Sequence, residues 1–291
     1  MNSPKTYLTV PKEYHQIVAG LIRDRCGKNA RTSGIDAGEI ALWDINLNFI
    51  IGVLSKNKKP EACKVLDLGC GYGFHTNAVG SLNCRTLGID INEPAIDFAK
   101  GHNLFPKKII FSNKAVEDLP GRKEFDAIIV SEVLEHCVDP EAIVVQCKRL
   151  IKNKGIIIFT GPNGRSLREL VEIMLLPIRN TKRGRRILRE IRNISSWLTN
   201  SQITAWDVFV DDYHKKFYSM NKLLSLFSKH GFILKEYQNQ DFTATLLGTI
   251  FPYIKLPAGL FKFDYKTADR LPYYLAGGWM MVFEQRGENG D

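Results

Sequence analysis

The feature that most constrains this chain is a series of short apolar runs alternating with helix-length stretches. "KVLDLG" (64–69), "RTLGID" (85–90), "KIIFSN" (108–113), "FDAIIV" (125–130) and "GIIIFTG" (155–161) are rich in Ile, Val and Leu. Stretches long enough for a helix lie between them, for example 93–103 and 139–152. Runs that are apolar on both faces belong to strands covered on both sides, and strands joined through helices run parallel. After a break, a helix over 219–230 and the runs "FILKEYQ" (232–238) and "WMMVFEQR" (279–286) resume the pattern. The expected fold is α/β, a doubly wound and mostly parallel seven-stranded sheet. Its ligand is expected at the carboxyl ends of the strands, near the point where the winding reverses.

Two helical patterns, 12–26 and 38–55, precede the first strand, and the polar, proline-containing "SKNKKPEA" (55–62) follows them. The reading is an N-terminal helical cap over 1–58 and a core over 59–291, with insertions at about 165–212 and 240–277 forming a substrate cover. At 44% hydrophobic and 24% charged, the composition is that of a globular protein with a large core. The six cysteines form no CxxC pair, which points to reduced, packed thiols rather than a zinc or disulfide framework. No apolar run follows a basic start, and none reaches the ~20 residues needed to cross a bilayer. A cytoplasmic protein is expected, with attachment to a membrane surface left open. That opening comes from residues 165–192, where nine Lys/Arg face three Glu and supply +6 of the net charge of +9. Such a block suits an anionic membrane surface or a phosphate-bearing substrate. It equally suits a solvated helix face. Nucleic acid fits less well, because no aromatic residues are interleaved with the basic run.

In "VLDLGCGYGFHTNAVG" a strand leads through Gly69, Gly71 and Gly73 into a helix. Alternate glycines let the backbone turn tightly and approach a ligand. Asp67 stands two residues before the first glycine, and Asp90 ends the next strand, where a carboxylate can accept both hydroxyls of a ribose. A helix N-cap is the plainer role for Asp90, but Asn92 is better placed for it.

These segments, with "GIDINEPAI", "AVEDLP", "FDAIIVSEVLEHCVDP" and "GPNG" in order over 64–164, resemble the class I S-adenosylmethionine-dependent methyltransferases, a Rossmann-like fold. The resemblance implies S-adenosyl-L-methionine as cofactor, with Gly69, Cys70 and Gly71 facing its methionine part and Asp67 orienting the amino group. It puts Asp90 on the ribose, Ile91 on the adenine face, Val116 and Glu117 at the adenine edge, and Ser131 in the same set. Many relatives carry Asp where Ala115 stands.

"SEVLEH" (131–136) follows the fourth run and therefore lies beside the cofactor. If it begins a helical turn, Glu132, Glu135 and His136 stand at i, i+3 and i+4 and share a face. With the later His214 this pattern is similar to two metal-using branches, the ubiquinone-biosynthesis O-methyltransferases and the small-RNA 3′-terminal 2′-O-methyltransferases. That similarity implies Mg or Mn on Glu132, Glu135, His136 and His214. Three readings stay open: a metal site, catalysis or substrate contact by Glu132, His136 and His214, and simple packing. The ending "DRLPYYLAGGWMMVFEQ" resembles methyltransferases of glycan and lipid-glycan synthesis. The expected reaction is O-methylation of a small-molecule, phenolic or lipid- or glycan-linked hydroxyl. An RNA methyltransferase and a non-catalytic cofactor-binding protein are the alternatives.

Overall fold

A computed structural model describes residues 37–57, 63–82, 84–166, 181–184, 186, 218–242 and 258–287. The helix read over 12–26, His214 and most of the basic block fall outside the described residues, as does 243–257 of the second insertion. Seven strands form one sheet in the order β3-β2-β1-β4-β5-β7-β6. They are β1 (Lys64–Leu68), β2 (Arg85–Asp90), β3 (Ile109–Asn113), β4 (Phe125–Ser131), β5 (Ile151–Pro162), β6 (Phe232–Asn239) and β7 (Gly278–Gln285). β1 to β5 are mutually parallel where they pair, while β7 lies antiparallel between β5 and β6. The described helices are α1 (Ala37–Asn57), α2 (Phe74–Ser81), α3 (Glu93–Gly101), α4 (Pro140–Leu150), α5 (Met220–Lys229) and α6 (Ala258–Ala268).

Alternation along the strands sorts the core into two layers. Leu66, Leu68, Ile128, Val130, Ile157, Phe159, Met281 and Phe283 face one side, where α4 supplies Val144 and α5 supplies Leu223 and Phe227. Val65, Ala127, Ile129, Ile158, Met280 and Val282 face the other, covered by Leu47, Phe49, Ile50 and Leu54 of α1 and by Ala78 and Val79 of α2. β4 is buried on both faces from Ala127 to Val130. The helix ends follow from local chemistry. Asn92 caps α3 by accepting from the Ala95 amide, and Asp139 caps α4 by accepting from the amides of Glu141 and Ala142. Asn92 rather than Asp90 therefore holds the α3 cap, as its position in the sequence favoured.

β5 departs from the sequence reading. The expected helix over 139–152 ends at Leu150, and the strand begins at Ile151. The register with β4 shifts between Phe125 and Ala127, and Lys154 takes a left-handed φ of 59°. A bulge thus carries the polar Lys152–Lys154 segment past the strand start, which no apolar pattern could announce. Four cysteines, 63, 70, 84 and 147, are buried free thiols, and Cys137 is half-buried. No described helix is long and apolar enough to cross a membrane.

The Phe227 and Phe283 rings stack with centroids 3.9 Å apart across the α5–sheet interface, both buried. Phe283→Ala should destabilise the fold by about 3–5 kcal/mol. The exposed Val138→Ala should shift stability by no more than about 0.5 kcal/mol. Urea unfolding midpoints check both.

Candidate active site

The chain winds outward from β1 to β2 and β3, then returns to β4 on the other side of β1, so the crevice opens between the ends of β1 and β4. Three glycines shape the turn after β1, with φ of 73° at Gly69, 49° at Gly71 and 78° at Gly73. An L-residue rarely adopts that region. Space imposes the same choice at two of them. A Cβ on Gly69 would lie 2.5 Å from Val133 Cγ2, and one on Gly73 would lie 2.7 Å from Phe111 Cζ. At Gly71 a Cβ would meet nothing within 4 Å, so this glycine borders open space.

The turn is pinned by its own amides. Gly69 and Cys70 donate to the Ile89 carbonyl, at 2.9 and 3.0 Å. Gly71 N–H donates to Asp90 Oδ2 at 2.8 Å, and Asn92 N–H donates to Asp90 Oδ1 at 2.8 Å. One amide holds each carboxylate oxygen, which leaves each a further lone pair. Beside it, Ile91 is 79% exposed, an apolar side chain standing in solvent next to a fixed carboxylate. A ribose with an attached planar base fits this pair of surfaces: two hydroxyls for the carboxylate, one flat apolar face for the isoleucine.

Asp67 is buried, and Thr76 Oγ1 donates to its Oδ2 at 2.6 Å. Burial pushes its carboxyl up to about 6. The Thr76 bond opposes this, and the nearby Asp90 charge adds to it. Burial also pushes the Cys70 thiol far up, with the Asp67 and Asp90 charges adding, so that side chain is no nucleophile. Beyond β3, Val116 and Glu117 sit in a short 3-10 turn, Val116–Asp118. The Val116 side chain is buried in the core, and Asp118 Oδ2 accepts from the Ala115 amide at 3.2 Å. Arg149 of α4 fixes this turn by donating to the carbonyls of Leu119 (2.7 Å) and Val116 (3.2 Å).

"SEVLEH" does not form the helical turn expected of it. Glu132 has φ 54°, and only Leu134–His136 coil, as a 3-10 turn. A non-glycine residue in that region carries strain of about 1–3 kcal/mol. The shared face of Glu132, Glu135 and His136 is lost as a result. Glu132 Oε1 accepts from Thr160 Oγ1 (2.9 Å), Gln240 Nε2 (3.1 Å) and Asn46 Nδ2 of α1 (3.3 Å). Glu135 is buried 3.9 Å from the His136 ring, on the side where the Tyr218 hydroxyl reaches the Leu134 carbonyl. Glu132 is thus tied to α1, β5 and the residue after β6. Among the described residues, no group of three His, Cys, Asp or Glu could hold a metal ion. The fourth ligand of the expected set, His214, lies outside them. Ser131 Oγ shares a 2.8 Å bond with Thr160 Oγ1.

Four contributors were missed from the sequence: Thr76, Asn46, Thr160 and Gln240. Only Thr76, one helical turn past the glycines, offered a local signal. Away from the site, His102 and His230 are hydrogen-bonded, to the Phe98 carbonyl and to Glu141.

A doubly wound sheet with a glycine turn beneath an acidic β2 tip defines a nucleotide-cofactor-binding α/β domain. A family profile described as "Methyltransferase domain" matches residues 59–223, more than half of the chain, and the chain belongs to that family. Among curated relatives, the ubiquinone biosynthesis O-methyltransferase of Thiobacillus denitrificans is 34% identical over 154 residues, 45% of this chain and 65% of that protein. That of Methylococcus capsulatus is 30% identical over 148 residues, 49% of this chain and 60% of that protein. The chain therefore spans less than two thirds of the length of these two relatives. The solved structure of magnesium protoporphyrin IX methyltransferase from Synechocystis PCC 6803, with SAH bound, matches with a TM-score of 0.51. The match has 12% identity and covers 84% of this chain and 83% of that one, a likeness of fold. Membership of the methyltransferase family implies S-adenosylmethionine as the cofactor.

Two predictions follow from the carboxylates. Asp90→Ala should weaken S-adenosylmethionine binding about ten- to hundredfold by calorimetry, because it removes a charged acceptor. Asp67 is raised in the folded state, so the stability it contributes is full below its ordinary value of 3.8 and is lost as pH rises through about 6. Asp67→Asn should therefore remove a decline on the order of 3 kcal/mol between pH 4 and 7, read from urea unfolding at each pH.

Proposed function

We propose that this chain is an S-adenosylmethionine-dependent O-methyltransferase acting on a small-molecule hydroxyl, phenolic or lipid- or glycan-linked. The observation that supports the reading is that Glu132 and His136 follow β4, whose sheet neighbour β1 leads into the glycine turn, with Val133 packed against Gly69. When bound, the cofactor supplies a methyl group on a positive sulfur. Transfer is an in-line displacement: the acceptor oxygen bonds to the methyl carbon while the carbon–sulfur bond breaks and its electron pair stays on sulfur. The chain's work is to align the two and to take the hydroxyl proton. Glu132 is the assigned proton acceptor, and His136 an assigned hydroxyl contact. Asp90, Ile91 and the Gly69–Gly71 turn hold the nucleoside and methionine ends. Val116, Glu117 and Ser131 complete the cofactor side, with Asp67 beneath the turn. The helical cap and the segments around 165–212 and 240–277 are assigned to covering the acceptor. His214 joins the site in this reading only through the resemblance. The phenolic preference rests on the ubiquinone-biosynthesis relatives, which match over part of their length.

The described residues do not assemble a Mg or Mn cage: Glu132 commits one oxygen to three protein donors, and no group of three His, Cys, Asp or Glu comes together among them. No step is therefore routed through a metal. With tritiated S-adenosylmethionine, label should pass to a catechol probe or to another member of a hydroxyl panel. EDTA should leave the rate within about twofold, and Glu132→Gln should lower it about a hundredfold. Loss of activity in EDTA with recovery in manganese would restore the metal reading. Cofactor binding with no transfer across the panel would favour a non-catalytic role, and transfer to RNA alone would favour the nucleic-acid one.

A further inference from the structure

The bonds around Glu132 form a closed knot of four elements. Asn46 lies on α1, Glu132 just beyond β4, Thr160 on β5, and Gln240 just beyond β6. Asn46, Thr160 and Gln240 are all buried, at 0%, 0% and 2% exposure. Gln240 Nε2 donates both to Glu132 Oε1 (3.1 Å) and to Asn46 Oδ1 (2.7 Å), so the two amides hold each other as well as the carboxylate. The Glu132 amide donates to the Thr160 carbonyl at 3.0 Å, which clamps the left-handed backbone from below. The space for Gln240 is reserved by Gly278, where any Cβ would collide with the Gln240 carboxamide. Among the described residues, every hydrogen bond to the Glu132 side chain falls on Oε1, and the residue is only half-buried.

Burying two amides and a hydroxyl around one oxygen of a partly exposed carboxylate does little for the core. An apolar trio of similar shape would pack without any desolvation cost. The arrangement instead fixes the direction of the other oxygen. We propose that Asn46 and Gln240 are positioning residues for methyl transfer. They lock Glu132 by Oε1 so that Oε2 meets the acceptor hydroxyl, and this makes the N-terminal helix and the end of β6 part of the active site. The inference rests on the O-methylation reading above. In the step, the hydroxyl proton passes to Oε2 as the oxygen–methyl bond forms, and the carbon–sulfur electrons remain on the departing thioether. A carboxylate free to swing would lose the alignment, and misplacement by about 1 Å can cost about a hundredfold in rate.

A double-mutant cycle tests it. In the full-length protein, Asn46→Leu and Gln240→Met should each lower kcat about ten- to hundredfold, with the calorimetric Kd for S-adenosylmethionine changed less than about threefold. In a Glu132→Gln background, the same substitutions should lower the residual kcat by less than about threefold, because the group they position is already lost. Full multiplication of the defects in that background, or a Kd effect as large as the kcat effect, would overturn the proposal and leave a packing role. Should either variant fail to fold, Thr160→Val removes one donor with little change in shape and should show the same dependence on Glu132. A wild type that binds the cofactor and transfers to no hydroxyl would defeat the O-methylation reading itself. In that case the positioning role falls with it, whereas uncoupled defects in a wild type that does transfer overturn the positioning role alone.

Discussion

A strand buried on both faces has little room along its middle for a polar side chain, and that constraint governs this molecule. From Ala127 to Val130, β4 is enclosed by two helical layers, and β1 beside it carries Val65, Leu66 and Leu68 in the same state. The interior disfavours polar groups along the middle of these strands, so polar chemistry gathers near their ends, as at Asp67, next to last in β1. The parallel run of β1 to β5 collects those ends on one edge, and the reversal of winding between β1 and β4 parts them into a crevice. Asp67, the glycine turn, Asp90 and Glu132 stand together there because of this, although 65 residues of chain separate the first from the last.

Two carboxylates beside the turn are set to different tasks by their surroundings. Asp90 keeps each oxygen on a backbone amide at the surface. Asp67, buried and held by the Thr76 hydroxyl, is pushed towards its neutral form. A cationic ligand above the turn would favour ionised Asp67, so occupancy of the crevice and protonation beneath it are linked. The nearby Asp90 charge adds to the same balance.

Much of this was legible in the sequence because it depends on near neighbours. Strand runs read from apolar clustering match β1 to β4, β6 and β7 within about a residue, since burial on two faces leaves a strong local pattern. The glycine turn was legible because positive φ selects glycine, and the Asn92 cap because its partner lies three residues on. β5 began earlier than expected, since its first turn of chain is polar and held by a bulge. "SEVLEH" misled for a related reason: helical spacing presumes helical φ, and nothing in the letters marks Glu132 as left-handed. Its knot joins positions 86 and 108 residues apart, and pattern along the chain carries no trace of contacts at that separation.

The antiparallel placement of β7 also bears on how the molecule is made. β6 leaves the ribosome before β7, yet among the described residues its neighbour in the sheet is β7, and β7 in turn rests on β5. The nascent chain can assemble β1 to β5 as they emerge, but β6 must wait, its edge unpaired, until residues 278–285 follow it out. Gln240, at the end of β6, waits with it. The glycine turn and Asp90 can therefore take their places during synthesis, whereas the contacts between Glu132 and Gln240 come into register only when β7 is threaded between β5 and β6.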